Sequence, residues 1–374
     1  LQFPQFNSNN LYKTRTFKDQ DEVMDLLYAI DYSQRPVIRE RDIKIIVLPK
    51  GNNLSASDIE DFFENRSPTT QAEEEVKLTE INKLNLSTNL LDSLFEPIIE
   101  DIAENIIQFD FIFSKANSSG PDVDLVELSG LERSFLANLS HRVQCIRYPL
   151  QEERESLYPH RPKEFEYLDI KKAFFNILGD VTKDKKKYQN HLFKVLPQIY
   201  TGTYYRDDVL LPAFIEKTEY NIRQNRSNFN LLKFDYFFLT QLLNSNGDRL
   251  MEEMKNSQSY QVGLLLGKMA RPLDRKINSF EKNYVGLLSR RISDQEGLIK
   301  LANFINEKLA IHNVAYLNLK QAFVQLARII SEMPAKDYHK SYCAFGFFES
   351  YYTYEKSEQD SGTLADSHIL NTVD

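Results

Sequence analysis

The sequence predicts a mainly α protein, with a small mixed α/β N-terminal region, a helical domain and a C-terminal antiparallel helical bundle. Three observations carry this. Glycine supplies 12 of 374 residues, under half its usual share of about 7%. That disfavours folds built on many tight turns or on glycine-rich phosphate loops. Apolar residues recur at helical spacing almost without interruption from residue 121 onward. Stretches that read as strands are confined to the first third, at Ile43–Leu48 and Phe109–Phe113. The mixed region is placed at 1–120, the helical domain at 121–250, the bundle at 251–355 and a polar, loose tail at 356–374.

The elements follow in order. Gln20 to Asp31 predicts a helix with Val23, Leu26, Leu27 and Ile30 on one face. Ile43–Leu48 is β-branched and ends at Pro49, Gly51 and two asparagines. Ser55 or Ser57 then caps a helix running through Phe63. Leu90–Ile107 has a helical pattern ahead of the strand at Phe109–Phe113, and Asn117-Ser-Ser-Gly-Pro breaks the chain. Leu125–Val143 reads as a helix, with further helices at 163–178, 186–200, 207–225 and 229–244. A turn-rich stretch at Asn244–Asp248 puts a domain boundary near 245–255.

The periodicity is clearest in 258–332. One helix spans 258–270 and stops near Pro272. A second carries Leu273, Ile277, Phe280, Tyr284 and Leu287 as one stripe. A third carries Leu298, Leu301, Ile305 and Leu309, with Ser293 as its N-cap. A fourth carries Leu319, Ala322, Phe323, Leu326, Ile330 and Met333. Short connections between such helices make neighbours antiparallel. Tyr342–Tyr354 predicts a helix with aromatic rings on all faces, which is either buried or docked on a partner.

Cys145 and Cys343 are the only cysteines and form no CxxC pair, so a disulfide framework and a cysteine-rich zinc site are excluded. A reducing, cytoplasmic location is expected. The opening LQFPQFNSNNLYK lacks a basic segment followed by an apolar core, so no signal peptide is expected there. Starting at Leu1, the sequence reads as a mature or partial chain. No run approaches the length of a membrane span. The net charge of −8 on its own argues against a general nucleic-acid binder. It is unevenly spread. Residues 51–130 carry 17 acids against four bases, including Glu73–Glu75, which read as a solvated loop. Between Gln261 and Arg291, seven bases face two acids, a local charge of +5.

No nucleotide-binding, zinc-protease or nucleophile-elbow motif is present. His141 and Cys145 stand at i, i+4 on one predicted helix. They could form a nucleophile–base pair or half a metal site, but a core cysteine beside a partly exposed histidine is the preferred reading. Asp122 with Asp124, and Asp207 with Asp208, could hold a divalent cation. Helix capping accounts for both pairs more simply. No cofactor or metal is therefore expected. Lys268, Arg271, Arg275, Lys276, Lys282, Arg290 and Arg291 form a band off the apolar stripe, suited to phosphate contact. Lys185, Lys186 and Lys187 form a second basic run, read first as an exposed loop that could also touch a backbone; Tyr200, Tyr204 and Tyr205 beside Arg206 make an aromatic–basic cluster where bases could stack, a packed interhelical loop being the preferred reading.

Five stretches, in order, carry a family resemblance: LLYAIDYSQRPVIRERDIKIIVLP at 26–49, FDFIFSK at 109–115 with PDVDLVELSGLERSFLANLSHRV at 121–143, IYTGTYYRDDVLLPAFIEKTEYNIR at 199–223, QVGLLLGKMARPL at 261–273 and FGFFESYY at 345–352. Together they resemble the large subunit of type I-B CRISPR Cascade, the crRNA-guided surveillance complex. The resemblance implies a non-catalytic subunit. Its N-terminal part would read the protospacer-adjacent motif in double-stranded target DNA. Its bundle would contact the displaced strand and help recruit a helicase-nuclease. Implied partners are the crRNA, the backbone and handle-binding subunits and a small subunit. An internal start at Met251 or Met254 could yield that small subunit. Cysteines that bind zinc in some relatives are absent, and the chain is short for the family. A helical scaffold or adaptor that binds only proteins is the alternative from a different class. A metal-dependent nuclease using Asp207 and Asp208 is a third.

Overall fold

The computed structural model describes residues 19–32, 37–40, 43–64, 104–115, 123–157, 168, 170–178, 195, 198–201, 209–226, 228–244 and 247–352. The protein is mainly α with one small antiparallel sheet. It divides into two compact units, Leu1–Phe175 with Asp180–Arg206, and Asn176–Gly179 with Asp207–Asp374.

In the first unit, α1 (Gln20–Tyr32) precedes strands β1 (Val37–Glu40) and β2 (Ile43–Gly51), then α2 (Ala56–Glu64). Ser55 caps α2: its Oγ accepts from the Asp58 N–H, and the Asp58 carboxylate accepts from the Ser55 N–H. These bonds, from Ser55 first, hold the Asp58 carboxyl below its ordinary range. Strands β3 (Ile106–Lys115) and β4 (Val123–Glu132) complete a meander in the order β1-β2-β3-β4, all antiparallel.

β3 supplies the core of this unit. Phe109, Phe111 and Phe113 alternate along it and are fully buried. Phe62 of α2 stacks on Phe109 at 5.9 Å, and Tyr200 sits between Phe111 and Phe113 at 5.5 and 5.6 Å. Buried Tyr200 is thus a core ring and cannot stack on a base.

Two expectations fail here. Val123–Glu132 is a strand, not the start of a helix, because pairing with β3 outweighs a weak helical spacing. Asp124 accordingly lies opposite Ser114 in the ladder, within a strand and not ahead of a helix. Likewise Ile106 and Ile107 belong to β3, not to the end of a helix. Residues 90–103 of that predicted helix lie outside the described residues, as do Glu73–Glu75 and Asp122.

Helix α3 (Arg133–Leu157) packs Leu136, Leu139 and Val143 into the core. It also buries a polar row that the sequence did not advertise. The Arg147 guanidinium donates to the Leu168 carbonyl at 2.6 Å, and Gln151 accepts from the Leu168 N–H. Helix α4 (Ile170–Leu178) follows.

The second unit contains α5 (Leu210–Arg223), α6 (Phe229–Leu243), α7 (Gly247–Asn256), α8 (Gln258–Asp274), α9 (Phe280–Tyr284), a 3₁₀ turn (Val285–Leu287), α10 (Leu288–Arg291), α11 (Gln295–Ile311), α12 (Leu317–Glu332), a second 3₁₀ turn (Ala335–Asp337) and α13 (Lys340–Tyr352). The cap of α11 is Asp294, one residue beyond the predicted Ser293; it accepts from the Gly297 N–H at 2.7 Å. Met254 of α7 is buried, and Met251 is half-buried.

The start of α11 meets the end of α12, where Gln295 donates to the Met333 carbonyl. These consecutive helices are antiparallel, as their five-residue connection requires. Non-consecutive α8 and α13 instead run parallel. Ser259 accepts from the His339 N–H, Gly263 abuts the Cys343 carbonyl and Gly267 abuts the Phe347 carbonyl, a constant offset of 80 residues. Glycines at 263 and 267 on one helix and at 346 on the other let the two backbones touch. α13 is therefore the inner helix of this unit. Cys343–Phe348 and Tyr351 are buried, and Phe345 lies among Phe214, Phe229, Tyr236, Phe237 and Tyr260 with centroids 5.7–6.4 Å away. Its rings on all faces are explained by burial within the unit.

The helix predicted over 273–287 is broken. α8 runs past Pro272 to Asp274, and the amides of Lys276 and Ile277 both turn back to the Leu273 carbonyl. Ser279 then takes a left-handed conformation, φ 57°. Three short helical pieces follow and bury Phe280, Val285 and Leu288 instead of a single stripe. Gly286 permits the contact with α5, where a Cβ would lie 3.0 Å from Arg223 Cγ.

Candidate nucleic-acid interface

The break in the second predicted helix redistributes the basic residues. Lys268 and Arg271 stand on α8, Arg275 and Lys276 in the turn after it, Lys282 on α9, and Arg290 and Arg291 on α10. They are not one helix face. Lys268 on α8 and Arg275 at its C-terminal cap are both exposed, seven residues apart, while α13, α11 and α12 pack against that helix.

Two contacts fix the path of the remaining bases. Tyr352, at the end of α13, donates to Glu281 of α9 at 2.5 Å. Tyr338, just before α13, donates to the Ile292 carbonyl at 2.6 Å. The chain from α9 to α10 thus runs back along α13, over about 20 Å at 1.5 Å per residue. Lys282 and Arg290 lie towards opposite ends of that path.

The two acids of the segment turn inward. Glu281 accepts from Tyr352, and Asp274 lies beside the buried Tyr351 ring. Burial chiefly, then the Asp274 and Glu281 charges, pushes the Tyr351 phenol well above its ordinary value. The bases are left facing water. Lys268, Arg275, Lys276, Lys282 and Arg290 are exposed, and among the described residues none of them has a carboxylate partner.

Arg271 and Arg291 differ. Arg271 is half-buried near Tyr351. The Arg291 guanidinium lies over the Tyr284 ring at 4.5 Å and donates to the Asn283 carbonyl. Tyr284 in turn stacks between Phe280 and Phe304. Arg291 thus closes an aromatic column and is less available to a ligand than its neighbours.

The structure adds Lys340. It is exposed at the start of α13, and its charge acts on Glu219 of α5, which accepts from the Ser289 N–H at 2.5 Å. Burial raises the Glu219 carboxyl above its ordinary value, opposed by that bond and by Arg223 and Lys340. Only the tertiary fold brings Lys340 to the Arg290 end of the row, so no local pattern could have found it. Lys185, Lys186, Lys187, Arg206, Tyr204, Tyr205, Asp207 and Asp208 lie outside the described residues.

His141 and Cys145 are brought together, with Nε2 and Sγ 3.5 Å apart. Both are exposed, which corrects the expectation of a core cysteine. Cys343 is the buried one, and burial pushes its thiol up to about 12. No group of three or more His, Cys, Asp or Glu that could hold a metal ion occurs among the described residues. Among the same residues no helix is long and apolar enough to cross a membrane.

Fold and site together define a mainly α protein with exposed cations in its second unit that have no carboxylate partner among the described residues. Comparison with family models, with curated proteins and with solved structures yields no match.

Proposed function

We propose that the chain is a non-catalytic, nucleic-acid-binding large subunit of a type I-B CRISPR Cascade complex. In this role it takes part in recognising the protospacer-adjacent motif, contacts target DNA and supports R-loop formation. It also helps recruit the helicase-nuclease of antiviral defence. The crRNA, the backbone and handle-binding subunits and a small subunit are its partners, in the cytoplasm. The family reading rests on the ordered sequence stretches. Nucleic-acid contact is supported by one physical observation: five exposed cations between residues 268 and 290 without carboxylate partners among the described residues, while the acids of that segment face inward. Such cations neutralise phosphates without reading sequence, and in a guide-directed complex base pairing does the reading.

The test is charge reversal at Arg275, Lys276 and Arg290 together. All three side chains are exposed, so the fold should survive. Target-DNA affinity of the assembled complex should fall by roughly tenfold or more at moderate salt. The slope of log K against log salt should shrink by about 0.9 for each phosphate that is no longer neutralised. Unchanged affinity and slope would remove the basis of the proposal.

A second reading has its own observation. Tyr316, Leu317 and Val324 are 60%, 72% and 68% exposed on and beside α12. A helical scaffold or adaptor that binds only protein partners would use such a face, and for it the charge reversal changes nothing.

A further inference from the structure

We infer that His141 and Cys145 form a two-point chelate for a soft divalent cation of the zinc class, a site separate from the basic row. The geometry carries it. A zinc ion binds thiolate sulfur at about 2.3 Å and imidazole nitrogen at about 2.0–2.1 Å in tetrahedral arrangement, which sets the two donors about 3.5 Å apart. Sγ of Cys145 and Nε2 of His141 are 3.5 Å apart before any ion is present. The pair therefore needs little reorganisation to bind.

The surroundings fit the same use. Spacing of i, i+4 puts both donors on the exposed ridge of α3, while Leu139 and Val143 anchor the opposite face in the core. Arg147, two residues beyond Cys145, is tied to the Leu168 carbonyl and holds the helix in place. No Asp or Glu occurs between Glu132 and Glu152, so neither donor is drawn into a salt bridge with its own helix. The remaining coordination positions are open to water. On binding, the Cys145 thiol gives its proton to solvent, sulfur and imidazole each donate a lone pair, and nothing is oxidised or reduced.

Cobalt(II) is the probe, because thiolate ligation gives it a charge-transfer band in the near ultraviolet that imidazole and carboxylate do not. Titrating the reduced full chain should produce that band with saturation at one ion per chain, and zinc should displace it. Cys145→Ser should abolish the band. His141→Asn should keep a weaker band at an affinity roughly tenfold lower or worse. Both substitutions are on an exposed face, and unchanged far-ultraviolet circular dichroism will show that the helix persists. Absence of the band in the parent chain, or a band that survives Cys145→Ser, overturns the proposal. An affinity unchanged by His141→Asn overturns it as well.

Discussion

Replacing Gly263 by alanine should lower the stability of the second unit by about 3 kcal/mol, read as a shifted midpoint in denaturant or thermal unfolding. Propensity alone predicts the reverse, since alanine in a helix is better than glycine by about 1 kcal/mol. The close approach of the two backbones decides the sign. A Cβ at 263 would lie 2.1 Å from the Cys343 carbonyl oxygen and 2.9 Å from the Phe347 nitrogen. At 267 it would lie 2.3 Å from the Phe347 carbonyl oxygen, and at 346 it would lie 2.3 Å from that of Tyr260. These are backbone atoms, which cannot rotate aside as a side chain can. The two helices must separate, and the packing of every ring around Phe345 loosens. Alanine at all three positions should leave no cooperative transition for this unit. A triple variant within about 0.5 kcal/mol of the parent would contradict the parallel backbone packing of α8 on α13.

Phe345→Ala should cost about 4 kcal/mol, the middle of the range for deleting a fully buried phenylalanine. Its ring is wholly buried and touches five other aromatic rings from α5, α6 and α8. The cavity cannot close by a local shift, because those rings are fixed by one another: Phe214 also stacks on Tyr236, and Phe229 on Tyr352. Phe345→Leu keeps part of the volume and should cost well under half as much. A loss below about 1 kcal/mol for the alanine variant would mean that α13 is not the inner helix of this unit.

How much was legible in the sequence depended on whether local pattern and tertiary pairing agreed. Helices α11 and α12 announced themselves because their buried faces follow the 3.6-residue period. Strand β4 did not. Its leucines and valines fit a helical spacing as well as an alternating one, and only pairing with β3 settles the choice. The broken helix after Asp274 failed for a related reason. Leu273, Phe280 and Tyr284 keep a helical spacing, but the turn after Asp274 and the left-handed Ser279 interrupt the backbone between them.

The basic residues were legible as a set because charge is a property of sequence. Their arrangement was not. Arg291 looks like its neighbours until Tyr284 is placed beneath it, and Lys340 joins the row only through the return of α13. The exposure of Cys145 was not legible. Cys145 looked like core from its residue type, yet it faces water one turn from His141, while Cys343 is the thiol sealed between helices.

The most direct test of the proposed role is to isolate the full chain from its own cells under gentle, low-salt conditions and sequence any RNA that accompanies it. A discrete set of short RNAs sharing one common 5′ segment is expected, together with partner subunits in fixed proportion. A chain that elutes alone and free of nucleic acid contradicts the proposed role.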